Sequence, residues 1–327
     1  MLLQLLKSKV LQVYTFSEFC LCRVCERGLY NLKQITMSTQ DYLNGICYSK
    51  YYTNINPILH TYMPINMLSL KSLMNGDLFF NQPKNFNDPY DCYPFDEIDL
   101  SKTDIQSYRN SCKTTLEINN LLDIFDENPS KYIKDELNEV LNNIGVKCFS
   151  KCDKKMLMWG HYADKHQGMC LTFNALKDKP FFCGYSMNID GKRIENAQDG
   201  DSLNNIYKVE YSHKFIPFNY NQENKHGLNL EDRKKSYVIG IKSKDWDYED
   251  EIRIVRNLNQ TNGKFKQNIE YKKEALTAIK FGLKCNENDI NMVKKIVKNS
   301  KYHHVEFLKA QLVHPKNKGY GIEFEAI

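Results

Sequence analysis

A late segment of the chain places two carboxylates and a guanidinium at alternating positions. Glu249, Glu251 and Arg253 alternate with apolar Ile252 and Ile254. Successive side chains of a strand point to opposite faces, so this spacing predicts three charged groups on one face. Paired carboxylates can exchange protons with a substrate or stabilise a developing positive charge. The same spacing also fits a solvent-facing strand in which Arg253 screens the acids, and both interpretations remain open at this level.

A second segment, residues 156–173, combines aromatic and polar side chains. Its apolar residues fall at helical spacing, Gly168 offers a stop, and Met169–Phe173 is typical of a buried strand. Trp159 and Tyr162 lie on the apolar stripe of the predicted helix. Their spacing fits packed core residues and a ligand-binding platform equally well, because spacing alone cannot separate the two.

Metal chemistry would need ligands that converge on one point. His161, Asp164 and His166, together with Glu249 and Glu251, have side chains that suit divalent metals. Five residues along a helix turn a side chain by about 140°, so His161 and His166 would be poor co-ligands on one helix. A metal-dependent hydrolase is therefore the weakest alternative, and no metal is expected.

A rigid loop is predicted at residues 82–92, where prolines, asparagines and aspartates are concentrated. Such residues form turns because their side chains bond the local backbone. Asn87-Asp88-Pro89 is thus first of all a turn. Since binding residues often lie on loops held by a scaffold, Asn87 or Asp88 could also contact a ligand.

Composition limits the classes of protein that the chain can represent. The 327 residues are 42% hydrophobic, which is enough for a sizeable core. A net charge of +5 from 45 basic and 40 acidic residues is small, so nucleic-acid binding is not indicated. No apolar run approaches the ~18 residues of a membrane span. The 11 cysteines are scattered, as expected for free thiols in a cytoplasmic protein.

The pattern along the chain predicts an α+β fold. Residues 1–36 are interpreted as a weakly ordered extension ahead of Met37, which looks like the natural start. Residues 37–327 are predicted to form a single large domain with a mixed or mainly antiparallel sheet and a helical insertion at 101–143, split at Pro129. Strands are predicted at 77–81, 146–150, 169–173, 208–212, 249–255, 265–271, 276–281, 305–309 and 320–326, and further helices at 68–74, 228–241 and 289–299.

Several short motifs, taken in order, resemble a bacterial family catalogued as domain of unknown function 2971. The resemblance extends over about residues 46 to 325 and implies no particular reaction. The residues that carry it are Lys50-Tyr51, the segment Leu78–Pro89 ending in Phe-Asn-Asp-Pro, Cys148-Phe-Ser150, Met158-Trp-Gly-His-Tyr-Ala-Asp-Lys-His-Gln-Gly168, Lys242, Trp246, Tyr248-Glu-Asp-Glu-Ile-Arg253 and Phe281-Gly282.

A more distant similarity is to ADP-ribosyltransferases, which have NAD-holding, aromatic or serine, and glutamate motifs in that order. The corresponding motifs of this chain follow in the same order: Lys50-Tyr51, then Phe149-Ser150 with Tyr162, then Glu249-Asp-Glu251. The first of them lacks the family's usual His or Arg. The resemblance implies that Glu251 stabilises an oxocarbenium-like ribose and that Glu249 orients the acceptor. The resemblance further implies that Tyr162 or Trp159 stacks on the nicotinamide of NAD and that Lys50 or Arg253 contacts its diphosphate. Other residues implied to line the NAD site are Tyr51, Asn87, Asp88, Ser150, His161, His166 and Trp246.

The sequence thus predicts an NAD-consuming transferase or glycohydrolase with an unknown acceptor. The main alternative is a non-catalytic sensing or interaction module, in which the same polar residues form structural hydrogen-bond networks. A cysteine nucleophile among Cys148, Cys152 and Cys170 also stays open. There is no glycine-rich phosphate loop in the sequence, which disfavours ATP hydrolysis and Rossmann-type dehydrogenation.

Overall fold

The computed structural model describes residues 58–93, 105–106, 108–110, 121–174, 186–187, 193–194, 206–214, 237–258, 260–261, 264–265, 267–300, 302–313 and 320–327. All of them fall within the unit Asp41–Ile327. Lys50, Tyr51 and residues 1–36 lie outside the described residues, as does most of the helix predicted at 228–241.

The described residues form the following elements. The helices are α1 (Met67–Asn75), α2 (Leu122–Glu127), α3 (Pro129–Asn143), α4 (Met156–Tyr162) and α5 (Glu287–Asn299). The strands are β1 (Ile58–Met63), β2 (Asp77–Phe79), β3 (Ile144–Ser150), β4 (Met169–Asn174), β5 (Ser186–Met187), β6 (Arg193–Ile194), β7 (Ile206–Lys208), β8 (Glu210–Ser212), β9 (Ile241–Ser243), β10 (Glu251–Asn257), β11 (Gln260–Thr261), β12 (Lys264–Phe265), β13 (Asn268–Glu270), β14 (Leu276–Phe281), β15 (Glu306–Leu312) and β16 (Ile322–Ala326).

Eight strands form one mixed sheet in the order β16-β15-β14-β4-β1-β3-β10-β7. Neighbours are antiparallel except β14 and β15, which are parallel. A parallel pair needs a crossover connection, and α5 supplies it here. The predicted α+β fold with a mixed or mainly antiparallel sheet is confirmed.

One face of the sheet is apolar and is covered by α1 and α5. The core on this side includes Leu73 of α1 and Val293 of α5, packed with Phe149 of β3 and Ile252 of β10. Asn66 caps the start of α1, because its side chain accepts from the backbone N–H groups of Leu68 and Ser69, and Gly76 caps the end of the helix. Gly76 has φ 74°, a conformation that glycine adopts at little cost, and the helix predicted at 68–74 is confirmed.

The opposite face carries two separate apolar clusters. Over β3 and β10, the insertion packs Leu137 of α3 against Val146 and Val255. Over β1 and β4, α4 packs Trp159 against Tyr62 and Cys170. Pro129 is the first residue of α3, as the predicted split of the insertion requires. The strip of sheet between the two clusters is therefore free to carry polar side chains.

Strand register lines up polar residues along this strip. Ser150 of β3 lies opposite Glu251 of β10 on one side and opposite His60 of β1 on the other. His60 in turn lies opposite Thr172 of β4. Residues directly opposite each other share a face of the sheet, so four strands present one row of polar side chains.

The sheet is split beside this row. Strands β1 and β3 pair only at His60 and Ser150. Further along β3, the backbone of Val146 instead exchanges both hydrogen bonds with Asn81, at 3.0 and 2.8 Å. The backbones of Tyr62 and Cys148, which a regular ladder would pair, flank the resulting gap.

The segment after α4 corrects a sequence prediction. The helix ends at Tyr162 rather than continuing towards Gly168, and Asp164, Lys165 and His166 follow with φ of 46°, 53° and 73°. His161 and His166 therefore do not share a helix. A Cβ at Gly168 would lie 2.3 Å from the carbonyl oxygen of Met63, so only glycine fits this return into β4.

The carboxylate segment also differs from the prediction. Residues Lys244–Glu249 form a 3₁₀ helix, Asp250 has φ 42°, and the strand starts only at Glu251. Glu249 is therefore not on the strand. Its side chain nevertheless reaches the same charged group as Glu251, because both carboxylates contact the ammonium of Lys242.

Candidate functional site

Arg253 lies at the centre of a buried charged group. Its side chain is 0% exposed, and its Nε and Nη2 atoms donate to the two oxygens of Glu251 at 2.9 and 3.0 Å. Nη2 also donates to Asp91 at 2.7 Å, and Nη1 donates to the Ile239 carbonyl at 2.8 Å. Burial alone would raise the pKa of Glu251, but Arg253 and Lys242 lower it to about 2. Glu251 is thus held ionised.

Lys242 joins a second carboxylate to this group. Its ammonium donates to Glu249 at 2.6 Å and lies 3.3 Å from Asp91 and 3.4 Å from Glu251. Burial opposes the charged form of Lys242, but Glu251 and Asp91 outweigh it and raise its pKa. Because one ammonium touches both glutamates, their contacting oxygens are at most about 6 Å apart.

Glu249 connects the charged group to Tyr162. The Tyr162 hydroxyl donates to the free oxygen of Glu249 at 2.6 Å. Burial raises the pKa of Glu249 despite the neighbouring Lys242. We call the five residues Asp91, Lys242, Glu249, Glu251 and Arg253 the charged network; with all groups ionised it carries three negative and two positive charges.

Sequence reasoning missed Asp91 and left Lys242 without a role. Asp91 follows the predicted turn, where Asp88 accepts from the backbone N–H of Tyr90 at 2.9 Å and thereby shapes the chain. An aspartate in a turn is usually explained by such local bonds, so its sequence context concealed the ion pair with Arg253. Lys242 precedes Glu249 by seven residues. This separation predicts a contact only once the 3₁₀ helix between them is known.

A cavity of about 830 Å³ lies beside the charged network. Glu249, Glu251, Lys242 and Tyr162 form part of its wall, and Asn87 and His161 lie on the same wall. A volume of this size is within the roughly 300–1,000 Å³ of small-molecule sites. The candidate residues Asn87, Ser150, Tyr162, His161, Glu249 and Glu251 are therefore brought to one cavity.

His60 is a cavity residue that the sequence did not reveal. It is 5% exposed, lies on β1, and its Nδ1 is 3.1 Å from the hydroxyl of Thr172. Burial lowers the pKa of His60 to about 4, so the imidazole is neutral at pH 7. The sequence around His60 contains no other residue at a spacing that indicates a site, so only the structure shows that His60 lines the cavity.

The buried imidazole makes stability depend on pH. The pKa of His60 is near 6.5 in the unfolded chain and about 4 in the fold, so the unfolded state binds the proton first. Stability is complete above pH 6.5 and falls by on the order of 3 kcal/mol as pH drops towards 4. Urea unfolding of the wild type and of His60→Gln between pH 7 and 4 measures this loss. The Gln variant should lose less over this range, and equal losses in both proteins would contradict the assignment.

Trp159 and Ser150 have structural roles in the observed geometry. Trp159 is 0% exposed, packs edge-on against Tyr62 at 5.2 Å, and donates from its indole N–H to the Asp153 carbonyl at 2.7 Å. It cannot stack on a ligand without leaving the core, so the core interpretation is correct. The Ser150 hydroxyl donates to the Glu249 carbonyl at 2.6 Å and so fixes the backbone that carries the carboxylate.

The remaining candidates lie at different distances from the network. His161 is exposed and its ring is 6.1 Å from that of Tyr248. Trp246 is half-buried with its ring 5.0 Å from the Lys242 ammonium. Neither Trp246 nor His166 lines the cavity. His166 instead holds the loop before β4, because its carbonyl accepts from the N–H of Lys284 at 2.9 Å.

Two other chemistries can be judged from this geometry. Among the described residues, no three His, Cys, Asp or Glu side chains are arranged to hold a metal ion. The five residues considered for a metal-dependent hydrolase are all described, so that alternative has no ligand set among them. Burial raises the pKa of Cys148 well above its usual range, and that of Cys170 as well, which leaves either thiol a poor nucleophile.

Together these features define an α+β protein with a buried charged network at the wall of a cavity. Residues 158–254 match the family model described as "Protein of unknown function (DUF2971)". This segment runs from α4 to β10 and contains Tyr162, Lys242 and the two glutamates, and the resemblance found in the sequence is confirmed over it. No curated protein and no solved structure matches the chain. In the part of the chain that the structure describes, no helix is long and apolar enough to span a membrane.

Proposed function

We propose that the protein cleaves a ribosyl bond of NAD and transfers the ADP-ribosyl group to water or to another acceptor. The observation that supports this most directly is the pair of carboxylates, Glu249 and Glu251, joined by Lys242 at the cavity wall. Enzymes that cleave glycosidic bonds commonly use two nearby carboxylates to stabilise an oxocarbenium-like transition state and to transfer protons. The net negative charge of the network favours a positive charge that develops in the cavity.

The geometry favours Glu249 rather than Glu251 as the residue that contacts the ligand. Both oxygens of Glu251 accept from the rigid fork of Arg253, and its low pKa keeps it ionised. Among the described residues, the partners of the Glu249 carboxylate are Tyr162 and Lys242, and burial raises its pKa, which makes it the better proton acceptor of the two glutamates. Glu251 then acts as a positioning residue that holds Lys242 and Arg253 in place.

In the proposed reaction the bond between the ribose C1′ and the nicotinamide nitrogen breaks. The electron pair leaves with nicotinamide, which becomes neutral, and the cationic ribosyl carbon lies against the carboxylates. Water or another hydroxyl attacks this carbon and gives its proton to Glu249. The products are nicotinamide and either ADP-ribose or an ADP-ribosylated acceptor.

Glu249→Gln tests this proposal. Gln keeps the size of the side chain but cannot accept the proton, so nicotinamide release from NAD by the full chain should fall at least about 100-fold. Glu287→Gln, on the exposed first turn of α5, serves as the matched control and should leave release unchanged. The assay is run with and without a bacterial extract as a source of acceptor. Absence of release from the wild type under both conditions would refute the proposal.

A non-catalytic binding module is the second candidate, and one observation favours it. Every charged group of the network already has a partner within the protein, as expected for a network that maintains structure. Such a module would bind ADP-ribose or NAD without releasing nicotinamide. Isothermal titration of both ligands, next to the release assay, separates the two functions.

A further inference from the structure

The cavity reaches through the sheet rather than lying on one face. Its wall includes Tyr62 and Cys148, which share the face of the charged network. It also includes Thr61 and Lys147, which are their neighbours in sequence and therefore point to the opposite face, beneath α1. The gap between β1 and β3, bonded only at His60 and Ser150, explains how one cavity touches both faces.

Lys147 is an isolated cation on the α1 side of this cavity. It is half-buried beside Phe149, with its ammonium 5.9 Å from the ring centre. It makes no hydrogen bond or ion pair with any other described residue. Among the described residues, the buried lysines Lys242 of β9 and Lys280 of β14 both have carboxylate partners, Lys242 with Glu249 and Lys280 with Asp153. Burial lowers the pKa of Lys147, as expected for an ammonium without a counter-charge.

A half-buried charge without a partner costs desolvation free energy. An anionic ligand would offset this cost and would not have to displace a protein group from the lysine. Lys71 of α1 also lines the cavity and is exposed, and it adds a second positive charge on the same side. The two ends of the cavity therefore differ in sign: lysines under α1 and an excess of carboxylates at the charged network.

We propose that Lys147 is an anion-binding residue that takes a phosphate or diphosphate group on the α1 side of the cavity. That the bound group is the diphosphate of NAD rests on the proposed function. NAD carries a positive nicotinamide ring and a negative diphosphate, which match the carboxylate end and the lysine end in that order. Lys147 thus takes the role that the resemblance to ADP-ribosyltransferases assigned to Lys50 or Arg253, since the guanidinium of Arg253 already donates to Glu251, Asp91, the Ile239 carbonyl and the Cys92 thiol.

The test compares the full-length wild type with Lys147→Met, using inorganic pyrophosphate as the probe in isothermal titration. Met keeps the length of the side chain and removes the charge, so the dissociation constant should rise at least tenfold. Lys298→Met, on the exposed surface of α5, is the control and should bind as the wild type does. The urea midpoint of Lys147→Met should equal or exceed that of the wild type, because the variant loses an unpaired charge rather than a contact.

Three outcomes would overturn the inference. Pyrophosphate that binds the wild type and Lys147→Met equally, or that does not bind the wild type, leaves no anion site at Lys147. A lower urea midpoint for the variant would show instead that the lysine supports the fold. If pyrophosphate binding needs Lys147 but no nicotinamide is released, the anion site is retained and the NAD reaction is rejected. If nicotinamide is released equally well without Lys147, the NAD reaction is retained and the anion site is rejected.

Discussion

Arg253→Met should lower the free energy of unfolding by about 3–5 kcal/mol, because it removes one partner of a buried ion pair. The variant would leave Asp91, Glu249 and Glu251 with Lys242 as the one remaining cation of the charged network. Met fills much of the same volume, so packing contributes little to the loss. Urea unfolding followed by circular dichroism at pH 7 measures the change.

Two further variants identify the cause of that loss. Arg253→Met combined with Glu251→Gln removes one of the stranded carboxylates and should recover part of the stability. Arg109→Met breaks an ion pair of similar length, 2.6 Å to Asp126, but both side chains are more than 40% exposed. Exposed pairs contribute at most about 1 kcal/mol, so a comparable loss at Arg109 would show that burial is not the reason.

Trp159→Ala should cost about 3–5 kcal/mol, the range for truncating a large buried aromatic side chain. The indole fills the space between Tyr62 and Phe324, with ring centres at 5.2 and 6.1 Å, and its N–H bonds the Asp153 carbonyl. Ala would leave a cavity there and an unpaired carbonyl. Urea unfolding measures the cost, and ligand binding per folded molecule should persist, since Trp159 does not line the cavity.

Trp246→Ala is the matched control, since Trp246 is the other tryptophan of the chain. It is half-buried, and its described contacts are a cation–π contact with Lys242 and the ring of Tyr248. Its loss should cost about 1 kcal/mol. Each variant retains a single tryptophan, so fluorescence reports one site at a time. Equal costs at the two positions would contradict a core role for Trp159.

The charged site was predictable in part. Alternation of Glu251, Arg253 and their apolar neighbours correctly placed the charged side chains on one face, because a strand has a fixed period of two. The same reasoning wrongly extended the strand to Glu249, since a 3₁₀ helix followed by a left-handed Asp250 has no periodic signature over so few residues. Asp91 and Lys242 were beyond reach, because their pairing depends on loop geometry.

The sequence alone determined the α+β class, the position of α1 to within one residue, the helix start at Pro129 and the apolar face of β10. These features follow from local rules: capping, proline geometry and periodicity act over a few neighbouring residues. Only the tertiary structure decided that Trp159 is core, that His60 and Lys147 reach the cavity, and that Glu251 is neutralised by Arg253. Each of these depends on strand order and on the gap between β1 and β3, which bring together residues far apart in the chain and leave no trace in local spacing.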